Sequence, residues 1–269
     1  MSDLQKVIKY LAMVFAIFLI VSIFSGIISL VLVFGSFFDN SNVLLDNYKV
    51  LETDGIVEVL DIEVSSVNVV IKEGTKFKIE TNNKRVDLKQ KDNKVIIEEE
   101  GKFLFNNTKT GDIIIYVPEV NEIREVSLEN GAGSVEIESF TTNKLLLNLG
   151  AGKVEINDLV VLEKTEIDGG AGEIDVKNAT IHNLDLDMGV GKVSFLGSIL
   201  GISEIDCGVG ETTLDLNGTK DDYKITIDKG IGSVKVDGDS ITDSSYYGNG
   251  NNLIEINGGI GNIRVDFVW

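Results

Sequence analysis

Residues 167–176 read IDGGAGEIDV, and nineteen positions on, residues 186–195 read LDMGVGKVSF. Both run apolar, acidic, any residue, Gly-x-Gly, charged, apolar, polar, apolar. The Gly-x-Gly signature, with Ala, Val or Ile between the glycines, occurs at 131–133, 150–152, 170–172, 189–191, 208–210, 230–232 and 259–261. First-glycine spacings are 19, 20, 19, 19, 22 and 29. Similarity at a fixed period near 20 residues marks a stacked array whose units bury their apolar faces against one another.

Columns aligned on the first glycine give the register. Three positions before it stand Leu128, Leu147, Ile167, Leu186, Ile205, Ile227 and Ile256. Four after it stand Val135, Val154, Ile174, Val193, Thr212, Val234 and Ile263, and six after it Ile137, Ile156, Val176, Phe195, Leu214, Val236 and Val265. The column between these two has no apolar member: Glu136, Glu155, Asp175, Ser194, Thr213, Lys235, Arg264. Apolar residues on alternate positions, mostly β-branched, are the period-2 pattern of strands with one face inward. The fold class expected is all-β: a single-stranded, β-helix-like solenoid of about 19–20-residue rungs. Each rung reads as strand, Gly-x-Gly turn, strand and return turn, and seven rungs make a stack roughly 30–35 Å tall at about 4.8 Å each. The residue between the glycines (Ala132, Ala151, Ala171, Val190, Val209, Ile231, Ile260) is expected to point inward, its growth widening the core. Successive coils are expected to stack in sequence order, with Phe267, Val268 and Trp269 covering the last rung.

Outward from the repeat, the chain divides into five parts. Residues 1–9 form a short basic N-terminus. Residues 10–38 contain no formal charge, and as a helix these 29 residues reach roughly 43 Å, beyond the ~30 Å of a hydrocarbon core. A transmembrane helix is expected; a cleaved signal peptide would have a shorter apolar run. Lys6 and Lys9 precede the span and acidic residues follow it, which predicts a cytoplasmic N-terminus and an extracellular C-terminal domain. Residues 39–54 read as a tether and 55–128 as irregular strands that begin the solenoid. Residues 129–269 carry the regular repeats, with DSSYYGNGNN (243–252) as a surface loop.

The full chain has 43 acidic and 24 basic residues, a net charge of −19, which opposes binding to nucleic acid. One Cys excludes an internal disulfide, and one His leaves little room for histidine chemistry. The chemistry-bearing column lies two residues before each Gly-x-Gly: Glu129, Asn148, Asp168, Asp187, Asp206, Asp228, Asn257. The run Asp168, Asp187, Asp206, Asp228 places carboxylates about 4.8 Å apart, where neighbours repel by roughly 3–4 kcal/mol at an effective dielectric of 20. Backbone N–H groups at a tight turn, solvent salt or a bound cation would each relieve this. A calcium roll of the G-G-x-G-x-D type is disfavoured, because Ile174 and Ile263 stand where a liganding Asp belongs. His182 and Cys207 read as packing or loop residues. No catalytic, cofactor or metal residue is nominated, and the chain is expected not to be an enzyme.

The single apolar span, the IYVPEV entry (115–120) and the G-x-G-x-V-E-I rungs together resemble the bacterial domain-of-unknown-function family described as "putative adhesins", which includes LiaG-like membrane-anchored envelope proteins. The resemblance covers roughly residues 55–269. It implies a bacterial, envelope-associated β-solenoid with an adhesin-like or envelope-stress accessory role, anchored in the lipid bilayer and facing an unidentified envelope protein or polymer. Self-assembly into a scaffold and cation-dependent polymer binding stay open as alternatives.

Overall fold

Alternating β-branched and polar residues make strands along most of the chain, and among the described residues these join in a 13-stranded sheet. The computed structural model describes residues 44–53, 55–100, 110–118, 123–241 and 245–268. The expected membrane span 10–38 lies outside the described residues, as does Trp269. No helix among the described residues is long and apolar enough to cross a membrane.

The strands are β1 (Leu44–Glu52), β2 (Val59–Gly74), β3 (Lys78–Asn83), β4 (Val86–Lys91), β5 (Lys94–Glu99), β6 (Gly111–Pro118) and β7 (Glu125–His182). They continue as β8 (Leu184–Leu200), β9 (Ile202–Asn217), β10 (Tyr223–Val236), β11 (Asp239–Ile241), β12 (Ser245–Tyr247) and β13 (Asn252–Val268). The sheet order is β1-β3-β6-β2-β7-β8-β9-β13-β10-β11. From β2 through β10 every step along it is parallel and in register by repeat column. The three aligned columns are buried at all seven repeats, twenty-one residues with relative exposures from 0% to 6%. Burying each Ile, Val, Leu or Phe side chain contributes about 1.5–3 kcal/mol, so these columns hold the coils together.

The Gly-x-Gly corners stay within the ladder. Val190 pairs Val209 and Gly191 pairs Gly210, so one strand runs through each corner without interruption. The second corner uses left-handed residues one repeat apart, Ser139, Asp158 and Asn178, at φ of 46°, 54° and 54°. Asn and Asp tolerate that region best among residues with a side chain.

Four expectations are corrected. First, the residue between the glycines points outward: Val190, Val209, Ile231 and Ile260 are 44–52% exposed. At the apex of a corner the side chain projects away from the coil axis, so its growth reports nothing about core width. Second, the last two coils are exchanged in space. β13 lies between β9 and β10, with Ile260 paired to both Val209 and Ile231. The outer edge is closed instead by β11 and β12, both antiparallel to β10. Phe267 therefore packs inside this end, its ring 5.9 Å from Tyr223 and 6.0 Å from Tyr247. Third, part of the expected tether is strand: β1 pairs antiparallel with β3. Lys49 turns inward there, and its Nζ donates to the carbonyls of Lys84 (3.2 Å) and Val86 (2.5 Å). Fourth, the expected 243–252 loop contributes β12 and the start of β13.

The opposite end closes differently. β2 is a coil of the same kind in which Ser65, Ser66 and Val67 replace Gly-x-Gly, with Ser66 in register with Ala132. A Cβ on Gly131 would stand 2.7 Å from the Ser65 carbonyl oxygen, closer than packing allows. Among the described residues β2 meets no such corner beneath it: β5 pairs its first half and β6 its second. The Glu99 side chain takes the place of a corner. It accepts from Ser65 N–H (3.0 Å) and Asn83 Nδ2 (3.0 Å) and lies 3.4 Å from the Arg85 guanidinium.

Candidate functional site

Alternation places the column before each Gly-x-Gly on the outer face. The stacking order is Glu129, Asn148, Asp168, Asp187, Asp206, Asn257, Asp228. The exchange of the last coils therefore puts an amide between Asp206 and Asp228, and the expected run of four carboxylates is three. Asn257 Nδ2 donates to Asp206 Oδ1 at 2.7 Å and to Glu204 Oε1 at 3.3 Å. One of the predicted repulsive contacts is thus a hydrogen bond.

A second acidic column lies two residues earlier on the same face, where Glu166, Asp185, Glu204 and Glu255 follow one another. The sequence reading missed this column, although it has the same period and was visible in the alignment. Together the two columns put seven carboxylates on four adjacent coils. Lys164 pairs with Glu166 at 2.6 Å at one margin. Burial, then the charges of Asp206 and Asp168, push the Asp187 carboxyl above its ordinary range. Glu204 is pushed the same way, chiefly by Asp206.

Asp168, Asp187, Asp206 and Asp228 line one side of a shallow groove of about 930 Å³ that runs across six coils. Leu149, Gly169, Met188, Cys207 and Gly258 form its floor, with Lys229 at the end coil. The Cys207 thiol is pushed up by burial, which lowers its reactivity at neutral pH. His182 lies apart from the groove, with Nδ1 2.9 Å from the Val161 carbonyl oxygen. Across the glycine strip from the acids runs the exposed ridge Val190–Val209–Ile260–Ile231.

Among the described residues no three His, Cys, Asp or Glu side chains converge as a metal site. Ile174 and Ile263, at the calcium-roll ligand position, are buried in the core. The arrangement is a ladder of evenly spaced acids beside an apolar ridge. Chemically it offers attraction to cationic groups and contact with apolar ones over an extended face.

A family model described as Toastrack DUF4097 matches residues 46–250. Among solved structures, a "putative cell adhesion protein" of Clostridium sporogenes is 18% identical at a TM-score of 0.34, covering 82% of this chain and 98% of that one. A "putative adhesin" of Bacteroides fragilis is 12% identical at 0.35, with the same coverages of 82% and 98%. A "putative adhesin" of Parabacteroides distasonis is 12% identical at 0.31, covering 82% and 96%. No curated protein matches the sequence.

Proposed function

The chain belongs to the Toastrack DUF4097 family, and from that premise we propose that it is a membrane-anchored, extracytoplasmic interaction module of the bacterial cell envelope, adhesin-like and without catalytic activity. Residues 10–38 span the bilayer, the N-terminus is cytoplasmic, and the solenoid faces outward. The observation that carries the binding role is the acid-lined groove beside an exposed apolar ridge, on a face built from parallel coils in register. Such a scaffold costs little to order on binding, and its charge steers cationic partners toward it. The partner is a cationic protein or polymer of the envelope. The two antiparallel end caps argue against growth by end-to-end stacking, because neither end offers a full parallel edge.

The test uses the full chain with a lysine decamer as probe. Binding is expected to weaken with added salt and at least several-fold in D168N/D187N/D206N, while K192Q, beyond the ridge, binds as wild type or better. Equal binding by the triple variant removes the groove as the contact face. Orientation is tested separately, by labelling an E211C/C207S chain in intact cells with a membrane-impermeant maleimide. Protection of Cys at 211 until the cells are lysed overturns the external placement.

A further inference from the structure

The slot that β13 occupies is open on two sides until β13 arrives. β10 to β12 precede β13 in sequence, yet β10 stands beyond it in the sheet, so the chain from Asn217 to Tyr223 rises past an empty rung. β13 fills that rung by parallel pairing on both edges, from Leu253↔Ile202 to Val268↔Asn217 against β9, and from Asn252↔Tyr223 to Val265↔Val236 against β10. Without it, β9 and β10 each present an unpaired edge to the other.

β13 joins the rest through Gly248-Asn249-Gly250-Asn251. This short connection is pinned by Gly250 N–H to the Tyr223 carbonyl (2.9 Å), and Leu253 N–H reaches the Gly201 carbonyl (2.8 Å). The segment that seats in the slot is specified by columns: Ile256 inward, Gly259 and Gly261 over the Gly208 and Gly210 carbonyls, Ile263 and Val265 inward. Nothing in that specification requires the donor to belong to the same chain. We propose that β13 is an exchangeable rung, and that the slot between β9 and β10 accepts β13 of a second copy, giving a reciprocal two-fold dimer. The contact is parallel strand addition on two edges, and it supplies a route to self-association where the capped ends do not. The inference is independent of the binding reading above.

The four-residue connection holds each chain's own β13 near its slot at an effective concentration on the order of millimolar. At a local density near 100 μM, about a tenth of the chains exchange. The test uses register partners on the outer face, Glu211 of β9 and Asn262 of β13, which lie directly opposite across a parallel pair. Their Cα separation of about 4.8 Å is suited to a disulfide. Two full-length chains, E211C/C207S and N262C/C207S, are co-expressed and oxidised. Half of the exchanged dimers bring the two variants together, so a disulfide-linked dimer is expected at roughly a twentieth of the total, rising with expression level. The E211C/N262C/C207S chain is expected to close mainly on itself. The proposal is overturned if that chain closes completely within itself while the co-expressed pair gives no more dimer than E211C/C207S paired with D92C/C207S. It is equally overturned if the double-cysteine chain fails to close, since the β9–β13 register would then be wrong.

Discussion

Gly210 and Gly238 both sit at positive φ, 151° and 81°, but only Gly210 is crowded. A Cβ on Gly210 would run into the carbonyl oxygen of Gly191 in the coil beneath, whereas one on Gly238 meets nothing within 4 Å. Gly210→Ala is therefore expected to cost about 3–5 kcal/mol, combining backbone strain with forced separation of two coils, and Gly238→Ala about 1 kcal/mol. Urea unfolding of the two variants checks the difference. A second residue predicts the opposite sign. Thr165 is 1% exposed, it pairs with Leu184 of the next coil, and its hydroxyl finds no hydrogen-bond partner among the described residues. Thr165→Val keeps the shape and removes the stranded hydroxyl, so a gain of about 1 kcal/mol is expected by the same measurement. At this scale the sequence was a good guide to the columns and a poor one at the corner apex. Period-2 alternation places Leu186 and Val193 inward from either side, but it cannot be carried across two glycines whose backbone turns the chain. The outward Val190 is that failure.

The elements show why coil order was hidden. The coils around Gly230 and Gly259 carry the same inward residues, Ile227 with Ile256 and Val236 with Val265, and both have Ile between the glycines. Either would seat on β9, so column matching cannot rank them. The information lies in the connections. Asp237-Gly238 is a two-residue link between paired strands, with both residues at positive φ, and it folds β11 back onto β10 as a hairpin. That Asp-Gly pair was the available signal that β10 ends the stack. β1 was missed for a different reason. Only Lys49 and Leu51 turn inward in its C-terminal half, and a lysine that caps two carbonyls does not register as an apolar position. Gly238→Val tests the cap. A β-branched residue at φ of 81° costs about 2 kcal/mol or more, opens the hairpin and leaves the outer edge of β10 unpaired at Val234–Val236. Concentration-dependent light scattering at temperatures where the wild type stays clear is the expected outcome; a variant as clear as wild type means the hairpin does not guard that edge.

For the whole molecule, the net charge of −19 is concentrated in part on one face, and the pH dependence of stability should show it. Asp187 has its carboxyl pushed up by burial and by Asp206, Asp168, Asp185 and Glu166, so the folded state holds its proton more tightly than the unfolded chain does. The sign follows from linkage. Ionising Asp187 penalises the fold; the penalty is complete above its folded pKa, shrinks as pH falls through that value, and is gone below the unfolded value near 3.9. Asp222 and Glu80 act oppositely. Hydrogen bonds from Thr219 hold Asp222 low, and the Lys78 ammonium does the same for Glu80, so their support is lost as pH falls below about 4. The two effects together place maximum stability on the acid side of neutrality, above the pH of about 4 at which the support from Asp222 and Glu80 begins to be lost. Added salt at pH 7 should act in the same direction as mild acid, by screening the columns. Asp187→Asn should raise the melting temperature at pH 7, leave it unchanged near pH 4, and reduce the response to salt. A melting temperature that falls steadily from pH 7 downward, in wild type and variant alike, would mean that solvent already screens the ladder. The face would then hold no unrelieved charge with which to attract a cationic partner.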